Sequence, residues 1–365
     1  MSASPAPARC DPLAVAAAAG IHTLALPTPF AVGRVNCYLI EDEPLTLVDT
    51  GPNSGKSLDE LQQALAGHGY RIEDLGLIVI THQHFDHLGL LEILARRSGA
   101  EVAALDLLAP YLADFSPSAA ADDDFAQEVM RRHGVPRDLV TALGSVGAAF
   151  RAFGSGGHVS RPLRDEGVLA LRDRRLHVDH RPGHSPSDTI FWYAERQILL
   201  AGDHLLAHIS SNPLVSRPLR RDGEAQSRDR PHALLAYIDS MRRTRELPAQ
   251  LVLSGHGPPI LDHVALIDER LRMHERRARK MLGLLKAAPL SAYEIAVATW
   301  GQVAVAQAYL TISEVLGHLD LLQLTARFTS WTGIGSCDLR RPEGGSRSQP
   351  SATRPEQRRV LSCPI

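Results

Sequence analysis

The apolar positions along the chain change period several times, and each change predicts an element. Between residues 21 and 50 they form short runs, "IHTLALPTPF", "VNCYLI" and "PLTLVDTG", broken by prolines and charged turns, which predicts strands. "SLDELQQALAGHG" then repeats leucine at 58, 61 and 65 before its glycines, the spacing of one helical face, with Ser57 and Glu60 in capping-box spacing at its start. "LGLIVI" (75–80) is an unbroken apolar run that predicts a buried strand. "HLGLLEILARRSGA" (87–100) predicts a helix stopped by Gly99. The β-α-β-α order points to a layered α/β fold.

From about 104 to 155 the period turns helical. "LLAPYLADF", "DDDFAQEVMRRHG" and "RDLVTALGSVGAAFRAF" predict short helices inserted into a β-rich domain, and such insertions often cover a site. Tyr111, Phe115, Phe125 and Phe150 either wall a pocket there or form the insertion's own core. Strands resume at "GVLAL", "RLHVDHRPG", "TIFWYA", "QILLAGD" and "QLVLSGHG". Beyond 262 three helices ("HVALIDERLRMHERRARKMLGLLKA", "SAYEIAVATW", "YLTISEVLGHLDLL") predict a small appended domain over 263–326. The main domain is expected at 21–262, a flexible arm at 1–20 and a disordered, Ser/Arg/Pro/Gly-rich tail at 327–365.

Composition narrows the classes. In 365 residues, 44 % are hydrophobic, enough for a large core. The formal net charge of −2 excludes recruitment of nucleic acid or anionic membrane by bulk charge, although "ERRARK" (275–280) is a local basic run. Four scattered cysteines form no CxxC pair, which suits a reducing compartment. With a weak N-terminal signal and no run near ~18 apolar residues, the chain is expected to be cytoplasmic and off the membrane.

The densest chemistry is "THQHFDHLGL" (81–90), with His82, His84, Asp86 and His87. On an extended segment His82 and His84 project to one side, while Asp86 and His87 follow in the turn into a helix, which aims them at a second point. Packed imidazoles repel when protonated, and shared metal ions remove that cost by stabilising the neutral ligand form. Three later loops, each following a β run and containing glycine, add ligand types: His184 in "RPGHSPSD", Asp203 in "LLAGDHLL" and His256 in "LVLSGHGPP". Four loops thus supply seven donors.

This order, H-x-H-x-D-H at 82–87, "GHS" at 184, "GD" at 203 and "GHG" at 256, resembles the metallo-β-lactamase superfamily, as does "LVDTG" at 47–51. The segment "GHSPSDTIFWYAERQILLAGDHLL" is similar to the glyoxalase-II-like branch, and the helical C-terminal part resembles a winged-helix domain, although "ARFTSWTGIGSCDLRRPEGG" offers no clean hairpin wing. The resemblance implies an αββα sandwich of two mixed β-sheets flanked by helices, with a small helical C-terminal domain. It implies two divalent ions, most often zinc, with iron or manganese open. His82, His84 and His184 would hold one ion, Asp86, His87 and His256 the other, and Asp203 would bridge them.

A hydroxide between such ions would attack a small thioester, ester or lactone, with Asp86 and Asp203 as the catalytic carboxylates. The alternative is an endoribonuclease or phosphodiesterase acting on single-stranded nucleic acid. Ser210, Ser211 and Asn212 either bind polar groups of the substrate or belong to a solvated loop, and His204 is either a substrate group or a satisfied structural histidine. The expected partner is a small molecule, and a homodimer is open.

Overall fold

The computed structural model describes residues 11–221 and 230–332, with side chains as far as 326. The elements run α1 (Pro12–Ala18), β1 (Ile21–Leu26), β2 (Val35–Ile40), β3 (Thr46–Val48), α2 (Gly55–Gly67), β4 (Leu77–Ile80), α3 (Phe85–Leu88), α4 (Leu91–Ser98) and β5 (Glu101–Leu105). A helical stretch follows, α5 (Ala109–Ala113), α6 (Phe115–Arg132) and α7 (Arg137–Phe150). Then come β6 (Arg161–Leu163), β7 (Gly167–Ala170), β8 (Arg175–His180), β9 (Thr189–Tyr193), β10 (Ile198–Gly202), α8 (Ala233–Arg245) and β11 (Leu251–Ser254). The chain closes with α9 (His263–Ala287), α10 (Ala292–Trp300), α11 (Gln302–Ala306) and α12 (Ala308–Thr332).

Strands β1 to β6 form one sheet in sequence order, and β11-β10-β9-β8-β7 form the other. Both are mixed. The first changes from antiparallel to parallel after β3, and in the second only β10 and β11 are parallel. The period-2 rule explains the layers. In β4, Leu77 and Val79 face the core between the sheets, while Ile78 and Ile80 face a second core shared with Leu61 and Leu65 of α2. In β10, Ile198 and Leu200 face the first of these cores, and Leu199 and Ala201 face a third with Tyr237 and Met241 of α8. Strands buried on both faces therefore read as unbroken apolar runs. The result is the α/β sandwich of two mixed sheets flanked by helices.

A fourth core joins parts of the chain far apart in sequence. Val129, Met130 and Val140 of α6 and α7 pack with Met281, Ile295, Ile312, Val315 and Leu316 of the C-terminal helices. The helical insertion and the C-terminal region share this core. Among the described residues no strand follows β11, so the wing of a winged helix has no counterpart there. No single helix among them is long and apolar enough to cross a membrane.

Several local expectations change. Residues 12–18, read as part of a loose arm, form α1, because Pro12 starts it and the Asp11 side chain accepts the Leu13 N–H at 3.0 Å. Its Ala16 is buried between the sheets. Helix α2 begins three residues early, capped by Ser54, while Ser57 is buried and donates to the Pro27 carbonyl at 2.9 Å. The helix expected over 87–100 is split at Gly89, where a Cβ would sit 2.2 Å from Asn53 N and 2.3 Å from the Phe153 carbonyl. Gly99 does end it, at φ +71. Helix α12 runs past 327 to Thr332, and the expected tail from 333 and the first ten residues of the arm lie outside the described residues.

Candidate metal centre

Strands β4, β10 and β11 end on the same side of the sandwich, and the loops behind them carry donors. His82 and His84 lie between β4 and α3, Asp86 and His87 on α3, Asp203 directly after β10, and His256 just beyond β11. His184 comes from the β8–β9 turn. The loops pack too closely for a side chain at residue 255. A Cβ there would fall 2.2 Å from Asp203 Oδ1 and 2.8 Å from His87 Cε1, which explains the glycine before His256.

All seven side chains converge. His84 Nδ1 lies 3.1 Å from His82 Nε2 and 3.0 Å from His184 Nε2. His256 Nε2 lies 3.3 Å from Asp86 Oδ2, and Asp86, His87 and His256 form a second group with mutually close donor atoms. Asp203 spans the two: Oδ2 is 3.6 Å from His184 Nε2 and 3.5 Å from His256 Nε2, while Oδ1 is 3.4 Å from His87 Nε2. His87 Nε2, His256 Nε2 and Asp203 Oδ1 are buried without a hydrogen-bond partner. Buried polar atoms without partners are costly in a protein interior unless a cation meets them, so the donor set fits divalent metal binding.

The outward nitrogens are fixed by acceptors. His87 Nδ1–H donates to Asp49 Oδ2 at 2.8 Å, His184 Nδ1–H to the Asn212 carbonyl at 3.1 Å, and His256 Nδ1–H to the Arg34 carbonyl at 2.8 Å. His82 Nδ1 meets Thr81 Oγ1 at 2.9 Å, and that hydroxyl donates to Asp49 Oδ2 at 2.8 Å. Each of these four rings therefore presents a bare Nε2 inward, whereas His84 presents Nδ1. Asp49 adopts φ 59, a costly backbone for a non-glycine residue, and also accepts the Thr81 N–H at 2.9 Å. Residues 83 and 187 clasp the two histidine loops together, with Gln83 N–H donating to Ser187 Oγ at 3.2 Å.

Electrostatics keeps two of the imidazoles neutral and two of the carboxylates ionised. Burial, reinforced by neighbouring imidazoles, holds His82 well below its usual range and His84 down to about 3, so both are neutral. Burial pushes Asp203 and Asp86 up but is outweighed by the facing His256 and His87, which keep both carboxylates ionised. His87 and His256 are raised, because the carboxylates of Asp203, Asp49 and Asp86 outweigh their burial, so these two rings favour the proton that a bound cation would displace. Burial raises Asp188 to about 6; its carboxylate accepts Ser185 N–H and the Ser185 hydroxyl, both at 2.8 Å, which shapes the turn carrying His184.

The residues proposed for substrate are placed differently from the ligands. His204 is fully buried, its Nε2 meets Thr244 Oγ1 of α8 at 2.9 Å, and burial pushes it down to about 3. Its buried contact with α8 is the environment of the structural one of its two readings, although its Nδ1 is buried without a partner. Ser211 is buried as well and its hydroxyl donates to the Asp203 carbonyl, so it braces that residue. Asn212 uses its carbonyl on His184 and its Nδ2 on Leu310, and Ser210 is half-buried beside Ser211.

The aromatics of the insertion divide among several contacts. Phe125 packs on the helical core, Tyr111 is in the core of the first sheet with Phe115 against it, and Phe150 lies 5.3 Å from Phe30 in the β1–β2 loop. The sequence pattern alone pointed to neither Phe30 nor the supporting carbonyls of Arg34 and Asn212. "LVDTG" was the one signal for Asp49.

Residues 31–256, which include all seven donors, match the Metallo-beta-lactamase superfamily. Over 315 residues the chain is 32 % identical to the probable metallo-hydrolase YqjP of Bacillus subtilis (strain 168), covering 86 % of this chain and 95 % of that protein. It is 24 % identical over 262 residues to the beta-lactamase-like protein 2 homolog of Caenorhabditis elegans, covering 71 % and 68 % of the two chains. Among solved structures, a metallo-beta-lactamase family protein from Thermus thermophilus superimposes with a TM-score of 0.69 at 26 % identity, covering 84 % of this chain and 94 % of that one.

Proposed function

The chain belongs to the metallo-β-lactamase superfamily and is a metallo-hydrolase, and on that premise we propose that it holds two divalent ions and cleaves a small thioester, ester or lactone. The observation that carries the two-ion reading is the position of Asp203, whose carboxylate lies within 3.6 Å of His184, His256 and His87 at once. His82, His84 and His184 would hold one ion, Asp86, His87 and His256 the other, and Asp203 both. Zinc suits this imidazole and carboxylate set, and iron or manganese would use the same atoms.

When bound, such ions would supply Lewis-acid chemistry, lowering the pKa of a water and polarising a substrate oxygen. The chain's own part is positional. Asp203 sets the spacing of the two donor groups. Asp86 would be the carboxylate that holds or accepts a proton at the site, since Asp203 faces imidazoles with both oxygens. Asp49 keeps the His87 and His82 rings in the tautomer that ligation requires.

The carbonyl substrate class rests on the similarity of residues 183–206 to the glyoxalase-II-like branch. Three arginines of the basic run on α9 have acidic neighbours, Arg276 with Glu269, Arg277 with Glu314 of α12 and Arg279 with Glu275, which reduces the charge available to the phosphodiester alternative. A parallel assay of one metal-loaded preparation on an acyl thioester, an aryl ester, an acyl lactone and single-stranded RNA tests the reading. Turnover of a carbonyl substrate that vanishes in His84→Ala is expected. RNA cleavage that falls steeply with salt and is lost in the same variant would overturn it.

A further inference from the structure

The segment from Asp203 to residue 221 is neither helix nor strand beyond its first turn, yet it touches both the metal centre and the helical region. On the centre's side, the Asn212 carbonyl accepts the His184 Nδ1–H and the Ser211 hydroxyl donates to the Asp203 carbonyl. On the other side, three bonds tie it to the start of α12. Asn212 Nδ2 donates to the Leu310 carbonyl at 3.2 Å, the Val215 N–H donates to Ser313 Oγ at 3.2 Å, and the Tyr309 hydroxyl donates to the Val215 carbonyl. The Val215 side chain is fully buried in the core that contains Ile312, Val315 and Leu316. Further along, Arg217 reaches Asp122 on α6 at 2.7 Å.

We propose that the first turns of α12 are a positioning element for the ion held by His82, His84 and His184. The His184 ring has one outward acceptor, the Asn212 carbonyl. That carbonyl is placed by its own side chain on Leu310 and by Val215 three residues further on. A segment without regular structure holds its course only through such contacts, so freeing it from α12 moves the acceptor and lets the ring turn its Nε2 away. The rings of the other donor group take their outward partners elsewhere. His87 is oriented by Asp49 and His256 by Arg34, both in the β-sandwich. Loosening α12 therefore weakens that ion more than its neighbour, which depends on the segment only through the Ser211 bond to Asp203. This asymmetry gives the C-terminal helices a role in the centre itself, and it rests on the two-ion reading above.

The test compares the full-length wild type with Asn212→Ala and with the double variant Tyr309→Phe/Ser313→Ala. Zinc per chain is measured after dialysis against graded chelator, occupancy at each position by anomalous diffraction, and integrity by circular dichroism melting. In both variants affinity at the His82/His84/His184 position is expected to fall about 10-fold or more, with the other ion retained. If the double variant does not fold, Tyr309→Phe alone, the loss of one hydroxyl from a half-buried ring, is read in the same way. Folded variants that keep both ions with wild-type affinity, or lose both equally, overturn the positioning role alone. A wild type that binds one ion overturns the two-ion reading and the selectivity with it.

Discussion

Asp49 Oδ2 and His87 Nδ1 lie 2.8 Å apart, both fully buried beneath the metal centre. The same oxygen accepts the Thr81 hydroxyl that meets His82, so one carboxylate orients a ligand in each donor group. Replacing it by Asn keeps the shape but offers an amide that can turn a donor toward the ring. We expect Asp49→Asn to reduce metal affinity about 10–100-fold, read by chelator competition, while the melting curve of the fold stays cooperative. Unchanged affinity would show that the ring needs no such partner.

Two glycines separate close packing from open surface. A Cβ at 255 would overlap Asp203 Oδ1, whereas nothing lies within 4 Å of a Cβ at 283 in α9. Gly255→Ala is expected to abolish hydrolysis and metal uptake. Gly283→Ala is expected to leave both intact and to stabilise the helix by about 0.5–1 kcal/mol in thermal or urea melts. Equal behaviour of the two variants would contradict the packing described for the 254–257 loop.

A buried histidine pair in the helical region predicts a pH dependence separate from catalysis. His274 Nδ1 lies 3.2 Å from His318 Nε2, and burial pushes the two down to about 3 and about 4. In the unfolded chain they protonate near 6.5, so the folded state binds fewer protons between these values. Their stabilisation is complete above about 6.5 and is lost as pH falls toward 4. Burial raises Glu314 beside them, which offsets part of this in the opposite sense. Metal-stripped protein is expected to melt progressively lower from pH 7 to 5, and His274→Leu to flatten that slope. Parallel profiles would exclude the pair as a source.

Stripping the ions has its own consequence. A ligand bound only by the folded state adds about 2.7 kcal/mol at 100 times its Kd, so chelation is expected to lower Tm and readdition to restore it. Identical melts with and without chelator would mean that the seven donors hold nothing.

The seven donor residues were legible in the sequence because four crowd the short stretch behind β4 and three sit in glycine-containing loops after later strands. The layers were legible because β4 and β10 are buried on both faces and read as unbroken apolar stretches. The supporting atoms were not. Arg34 and Asn212 act through backbone carbonyls, which any residue type supplies, so no side-chain pattern marks them. Helix α1 was missed because its Ala-rich run has little amphipathic pattern and depends on the Asp11 cap. The core shared by α6, α7 and the C-terminal helices joins residues more than a hundred positions apart, a pairing that periodicity cannot encode. His204 stood beside a ligand in sequence, but its ring is fully buried against Thr244 of α8.

The most direct test of the account is the metal content of purified wild type and Asp203→Asn, measured together with turnover of a thioester, ester or lactone. Two ions per chain in the wild type are predicted, with hydrolysis that requires both, and loss of hydrolysis with at most one ion retained in the folded variant. Full hydrolysis by metal-free protein, or by Asp203→Asn, would contradict it.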